Sequence, residues 1–536
     1  MFDLVIKNGL IVDGSGRPAY RADVGIQGDR IAGIGELDAP GERILDAEGC
    51  VVAPGFIDIH SHTDGLVIKV PTCESKLSQG VTTEVSGNCG FSSAPFGGRQ
   101  NDMEEETKWL LEHGITEPWT TMGEFLDTLG NVPMSINFAT FVGHGTIREF
   151  VIGYDDREPT ADELAEMCRV AEESVRDGAF GVSSGLIYPP ACFAKTYELI
   201  ELCRPTARYG GVYATHMRNE AEGLLTAVDE AITIGREAGV GVQISHHKSC
   251  GKKNWGLVSK SLAMIDAARA EGLDVCADQY PYVATSTTLG IMVPKWAHDG
   301  GREVLLARLS DPEQRRKIRE QMLQDMTNGY LADSGGWNTV VVSSVKNEKN
   351  YFCEGLNIQQ IAEKLSKHPI DACLDLLSEE GGGVGMMHFV IGEDDVKTVM
   401  RHPAVVIGSD ATARGSDGSD HGKPHPRAYG TFPRVLGRYV RDEKIMSLEE
   451  GVAKMTGRTA KRLGLTKRGF IEEGYYADIT IFNPDKVSDT ATFTDSRRHA
   501  EGINFVIVNG RVALENGHIT ELGAGGSGRV LRRGRE

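Results

Sequence analysis

No stretch of about 18 consecutive apolar residues occurs in this chain of 536, so no membrane-spanning helix is expected. Cysteine is sparse. The ten residues are irregularly spaced and sit mostly in apolar segments, which reads as reduced thiols rather than a disulfide framework. Positive charge is in deficit. With 57 basic against 76 acidic residues the net charge is −19, which argues against nucleic acid or an anionic membrane as a partner. A small molecule is the expected ligand, and an anionic one would need a locally positive pocket. No glycine-rich dinucleotide fingerprint or phosphate loop follows any apolar run. The opening Met1-Phe2-Asp3-Leu4-Val5-Ile6-Lys7 lacks the basic start and long apolar core of a signal peptide, so a cytoplasmic protein is expected.

What is present is an ordinary globular composition, 40% hydrophobic and 25% charged, in a chain long enough for one large domain plus accessory pieces. Both ends read as β-structure. Asp3–Gly14, Ala22–Ile26 and Arg30–Ile34 at one end resemble Ala477–Phe482 and Val506–Val512 at the other, with Asn-Gly turns at Asn8 and Asn509. The expectation is a discontinuous β-sandwich domain of residues 1–54 and 465–536. Between them, over 55–464, apolar strands alternate with amphipathic helices. The strand candidates are Phe56–His60, Val81–Val85, Asn137–Val142, Gly181–Ser184, Val212–His216, Val242–His246, Asp274–Gln279 and Val405–Ser409. Eight such units fit an α/β fold of the (β/α)₈ TIM-like barrel type better than a doubly wound sheet. The gap from Gln279 to Val405 is too long for a bare loop, which predicts an insertion subdomain at about 285–350 over the barrel mouth, the chain returning as helix from Ile358. The Gly- and Arg-rich tail after Gly523 is expected to be poorly ordered.

Barrel active sites lie at the C-terminal ends of the strands. Strand one runs into His60 and His62, spaced so that both project from one face of a strand. Cys89 follows strand two. His216 ends strand five, His246 and His247 end strand six, and Asp410 ends strand eight. A lone histidine, thiol or aspartate at a strand end is more often a packed or capping residue. Metal-capable side chains at the ends of five strands are a different matter, and predict a metal centre. Neighbouring strand residues face opposite ways, so only one of His246 and His247 points into it. Histidine, cysteine and aspartate donors suit zinc. Zinc lowers the pKa of a bound water to about 7, and a carboxylate beside that water can pass its proton to a leaving amine. This is the chemistry of amide hydrolysis.

The segments Pro54-Gly55-Phe56-Ile57-Asp58-Ile59-His60-Ser61-His62, Gly87-Asn88-Cys89-Gly90, Ser183–Tyr188, Thr215-His216-Met217-Arg218, Ser245-His246-His247-Lys248 and His425-Pro426-Arg427 carry a resemblance. With Gly430–Gly437 and Met455-Thr456-Gly457 it spans nearly the whole chain. The sequence resembles the amidohydrolase superfamily and, within it, the N-acyl-D-amino-acid deacylases. The resemblance implies zinc-dependent hydrolysis of N-acyl-D-amino acids to a carboxylate and a free D-amino acid. It implies one tight zinc on Cys89, His216 and His246, and a second, weaker position near His60, His62 and Asp410. Asp410 would serve as general base and then general acid, and Tyr188 would polarise the scissile carbonyl. Lys248, Tyr282 and Arg427 would contact substrate, Lys248 and Arg427 through its α-carboxylate. Binuclear relatives that open cyclic amides use a carbamylated lysine on strand four. Here strand four reads Gly181-Val182-Ser183-Ser184-Gly185 with no lysine, and Cys89 would bridge instead. The alternatives are another amide hydrolase on the same scaffold, a D-dipeptidase or cyclic-imide (hydantoin) hydrolase, and a metal-free barrel serving assembly.

Overall fold

A computed structural model describes residues 1–38, 41–98, 103–328, 335–415 and 422–535. Eight parallel strands form the barrel. Phe56–Asp58, Val81–Ser86 and Asn137–Thr140 make one run of pairings. Val142–Gly143, Gly181–Gly185, Val212–His216, Gly241–Ile244, Val275–Gln279 and Val405–Ile407 make the other. The two runs join at Phe141, which hands the third strand from its pairing with strand two to its pairing with strand four. Closure comes where strands one and eight meet: Ser61 bridges Ala411, and the Asp410 amide donates to the His60 carbonyl at 2.7 Å. Nearly every residue of these strands is buried, because a parallel barrel buries both of their faces.

Connecting helices begin and end where side-chain chemistry dictates. Ala161–Asp177 starts at a capping box of Thr160 and Glu163 and stops at Gly178, whose φ of 133° suits only glycine. Among the described residues no helix is long and apolar enough to cross a membrane.

Both chain ends build one nine-stranded sheet. Val51–Pro54 is its seam, parallel to Phe2–Ile11 on one side and antiparallel to Ile479–Phe482 on the other. The sheet wraps a core of its own that includes Ile6, Val24, Ile31, Val52, Ile479 and Ile507.

Two expectations need correction. A helix does begin at Ile358, but the insertion extends past the expected 350 and includes it. Its three strands, Thr285–Thr288, Val340–Ser344 and Gly385–His388, enclose a separate core running from Leu289 to Met386. Ile358–Leu365 and Pro369–Glu379 bury Ile358, Ile361, Leu374 and Leu377 in that core. Their apolar faces are matched by the insertion's own strands, so the helices stay with it. The tail is also ordered. Residues 529–531 lie along strand three, with Phe138 N donating to Arg529 O at 2.9 Å and Leu531 N to Phe138 O at 2.7 Å. Leu531 joins the barrel's inner cluster with Ile57, Val85, Ala139 and Val406. Its arginines end on backbone carbonyls and carboxylates, as Arg533 does on Leu463 O at 2.7 Å and Arg529 on Asp29 at 2.7 Å, so the composition that reads as disorder is used for docking.

Candidate metal centre

At the C-terminal mouth of the barrel the six expected donors come together. Cys89 Sγ lies 3.3 Å from His60 Nε2 and 3.5 Å from His246 Nε2. His246 Nε2 is 2.9 Å from His216 Nδ1. Asp410 Oδ1 is 2.9 Å from His62 Nε2 and 3.5 Å from His60 Nε2. One ligand atom each from His60, Cys89, His246 and Asp410 falls within a 4.8 Å group, and His216, Glu220 and His246 form a second such group. His60, Cys89, His246 and Asp410 are all buried.

The ring nitrogens pointing away from the cluster are also engaged. His60 Nδ1 lies 2.9 Å from Asp278 Oδ1, and His246 Nδ1 lies 3.0 Å from Glu220 Oε1. Outer carboxylates of this kind fix ring orientation and raise the basicity of the inner nitrogen. Asp278 also accepts from the His246 amide at 2.8 Å and from Gln243 at 2.9 Å, so one carboxylate ties strands one, six and seven together. Imidazole nitrogens, a thiol and a carboxylate converging at these separations, with the far sides of His60 and His246 already occupied, fit a bound metal ion.

The backbone is bent to make this convergence. Cys89, His246 and Asp410 all adopt left-handed conformations, with φ of 53°, 37° and 52°. Such positions are costly for residues with a Cβ and persist where the surroundings over-determine them. Around Asp410 the constraint is a buried network. Lys76 Nζ sits 2.5 Å from Asp58 Oδ2 and 2.7 Å from Ser409 Oγ, while Ser409 N donates to Asp58 Oδ1 at 2.8 Å.

Charge follows geometry. Burial would raise the Cys89 thiol, but the His60 and His246 imidazoles beside it hold it well below the ordinary thiol range. Burial would likewise raise Asp410, and Arg427, with His246 and His60, outweighs it and holds the carboxyl well below the usual range. Tyr188 is pushed up by burial and then by the nearby Cys89 charge, so its hydroxyl keeps its proton and can donate. That hydroxyl is 2.9 Å from Thr287 Oγ1, at the start of the insertion.

A cavity of about 490 Å³ opens above the donors. His62, Cys89, Tyr188, His216, His246, Lys248, Asp410 and Arg427 all line it; Tyr282 does not. Tyr282 is buried behind the wall, against His425, Phe493 and the Arg434 guanidinium. Tyr282 is therefore not placed to meet a ligand in the cavity; Tyr280 lines it, and its buried hydroxyl has no hydrogen-bond partner among the described residues. The strand ends at Gln279, and past it alternation no longer tells which of the two tyrosines points inward. Lys248 is not a lone cation, since its ammonium is 2.5 Å from Glu220 Oε1. His247 turns away from the cluster to Ser261 at 2.8 Å, which resolves the His246/His247 alternative in favour of His246.

Sequence reasoning missed Glu220, Asp278, Tyr280 and Lys76. Glu220 follows His216 by four residues in a loop, where spacing carries no orientation. Asp278 offered a signal, as a carboxylate inside an otherwise apolar strand.

The "Amidohydrolase family" model matches residues 43–514. A D-aminoacylase of Alcaligenes xylosoxydans xylosoxydans is 39% identical over 99% of this chain and 98% of its own length. A solved D-aminoacylase structure, concerned with its binuclear metal centre and with one-metal activation and second-metal attenuation, matches with a TM-score of 0.82. It is 38% identical over 99% of this chain and all of the other. The N-acyl-D-glutamate deacylase of Bordetella bronchiseptica, solved with zinc and a phosphonate that mimics the tetrahedral intermediate, also gives 0.82, at 34% identity over 99% of each chain. With donors, barrel and full-length similarity in agreement, the chain belongs to the amidohydrolase family.

Proposed function

We propose that this protein is a zinc-dependent deacylase of N-acyl-D-amino acids. The observation that carries the reading is the Cys89 thiolate set between His60 and His246 at 3.3 and 3.5 Å, on a barrel whose fourth strand offers serines instead of a bridging lysine. Ser183 and Ser184 are spent on the Gly87 carbonyl and the Tyr213 hydroxyl. The D-configuration of the substrate rests on the relatives' activities.

Zinc would be held tightly by Cys89, His216 and His246, with a weaker position near His60, His62 and Asp410, and when bound it activates water for attack on the amide carbon. The remaining work belongs to side chains. Asp410 accepts the proton of the attacking water through the oxygen that faces His60 and His62. Tyr188 donates its hydroxyl hydrogen to the carbonyl oxygen as negative charge builds there, a contribution of roughly 3 kcal/mol in comparable sites. When the C–N bond breaks, Asp410 returns the proton to the leaving nitrogen, giving a carboxylate and a free amine. Arg427, Lys248 and the unpartnered Tyr280 hydroxyl bind the substrate α-carboxylate. Glu220 beside Lys248 sets that ammonium in place and lowers its net attraction, as Asp410 does for Arg427.

The test is a panel of N-acetyl-D- and N-acetyl-L-amino acids, with hydantoin and dihydropyrimidine, given to zinc-loaded protein. D-selective release of free amine is expected. Ring opening without deacylation would replace this reading with the cyclic-imide one.

A further inference from the structure

The mouth of the barrel leads into a second chamber of about 540 Å³, between the barrel loops and the insertion. Phe91, Ile187, Tyr188, Thr288 and Ile291 line both it and the metal-centre cavity, so the two are compartments of one space. Together they exceed what an N-acetyl amino acid would fill. The walls of the second chamber are largely apolar, but Lys295, Arg302 and Lys346 line it and not the metal-centre cavity, and no described carboxylate lines it. In a chain of net charge −19 this is a local reversal of sign. Arg302 is braced on the Gly381 carbonyl at 2.7 Å. Neither Lys295 nor Lys346 forms an ion pair among the described residues, and both are exposed at the rim.

The direction of a bound substrate follows from the cations on the other side. Lys248 and Arg427 flank the Tyr280 ring, at 5.8 and 4.7 Å from its centroid, and Tyr280 lines only the first cavity. In a trans amide the acyl carbon and the Cα lie on opposite sides of the C–N bond. A substrate with its α-carboxylate at Tyr280 and its carbonyl at Tyr188 therefore sends its acyl group past Tyr188 and Ile187.

We infer that the second chamber is an acyl-arm subsite for substrates whose acyl group is long, apolar in its middle and anionic at its end, as in the monoamides of dicarboxylic acids. The inference rests on the deacylase reading above. The apolar walls take the methylene chain, and Lys295 and Lys346 take the distal carboxylate.

The test compares zinc-loaded wild type with the double variant Lys295→Glu, Lys346→Glu, both at exposed positions outside the reacting centre. Substrates are the N-acetyl, N-heptanoyl and N-adipoyl derivatives of the D-amino acid preferred in the panel, and N-acetyl-D-2-aminoadipate to place the anion on the side chain instead. The expected result is a higher kcat/KM for adipoyl than for heptanoyl in wild type. The variant should lower that ratio about fivefold or more, as loss of two solvent-facing ion pairs implies, with N-acetyl turnover unchanged. An adipoyl-to-heptanoyl ratio that does not respond overturns the subsite. A loss confined to the aminoadipate derivative overturns the acyl assignment and gives the chamber to the side chain. Wild type inactive on every N-acyl-D-amino acid overturns the deacylase reading itself, an outcome separable from the other two because N-acetyl turnover is read directly.

Discussion

Arg427 and Asp410 face each other across the barrel mouth, Nη1 lying 2.8 Å from Oδ2, while the other carboxylate oxygen is 2.9 Å from His62. One oxygen is thus neutralised from outside and the other is aimed at the donors. Asp410→Asn keeps the shape and the Arg427 contact but cannot take a proton. It should retain bound zinc and lose at least about 100-fold in kcat. Metal analysis beside steady-state kinetics checks this, and loss of zinc from the variant would make Asp410 a tight ligand instead.

Glu220 grips two partners at once, His246 Nδ1 at 3.0 Å and Lys248 Nζ at 2.5 Å. Glu220→Gln should weaken zinc retention by about 10- to 100-fold, the usual effect of removing an outer carboxylate, and raise KM through Lys248. Competition against a chelator measures the first. Unchanged zinc affinity would leave Glu220 with the lysine alone.

Tyr280 and Tyr282 separate by position. Tyr280→Phe removes a buried, unpartnered hydroxyl from a side chain that lines the cavity and should raise KM several-fold, about the worth of one hydrogen bond to a charged group. Tyr282→Phe removes only a long contact, 3.4 Å, to the Pro426 carbonyl and should leave kinetics nearly unchanged. The reverse pattern would restore the assignment expected from sequence.

Lys454 lies beneath strand eight, its ammonium 2.8 Å from the Val405 carbonyl, and burial lowers its pKa from 10.5 to about 8. Between pH 8 and 10.5 the unfolded chain then binds more protons at this site than the folded one, so this residue makes stability rise with pH across that window. Below pH 8 both states are charged and its cost is constant. The unfolding free energy of wild type relative to Lys454→Met should increase by up to about 3 kcal/mol from pH 8 to 10.5. A flat difference in denaturant titrations would mean that the Val405 and His402 carbonyls hold the ammonium charged throughout.

The barrel was legible because parallel strands buried on both faces leave apolar runs that the sequence cannot disguise. All eight observed strands lie within a residue or two of the expected spans. The sixth stops at Ile244 because His246 takes a left-handed turn that no propensity announces. The donors were legible for a related reason: histidine and cysteine at the ends of apolar runs have few packing uses. Their supports were not. Glu220 and Asp278 act through ring nitrogens on other strands, and such a contact exists only after folding. The extent of the insertion and the docking of the tail were hidden too. Helices from 358 to 379 look the same whichever core they serve, and arginine bound to carbonyls looks the same as arginine in water.

The docked tail has a kinetic consequence. Arg529 donates its amide to Asn137, a partner 392 residues earlier. The edge of the third strand is therefore covered only after almost the whole chain has been synthesised. Loop closure over such a span is paid before its contacts return anything, so the pairing of residues 529–531 with strand three is expected to come late in folding. Until then strand three and the cluster that receives Leu531 stay open to other chains, and this is the stage at which the protein is most exposed to aggregation.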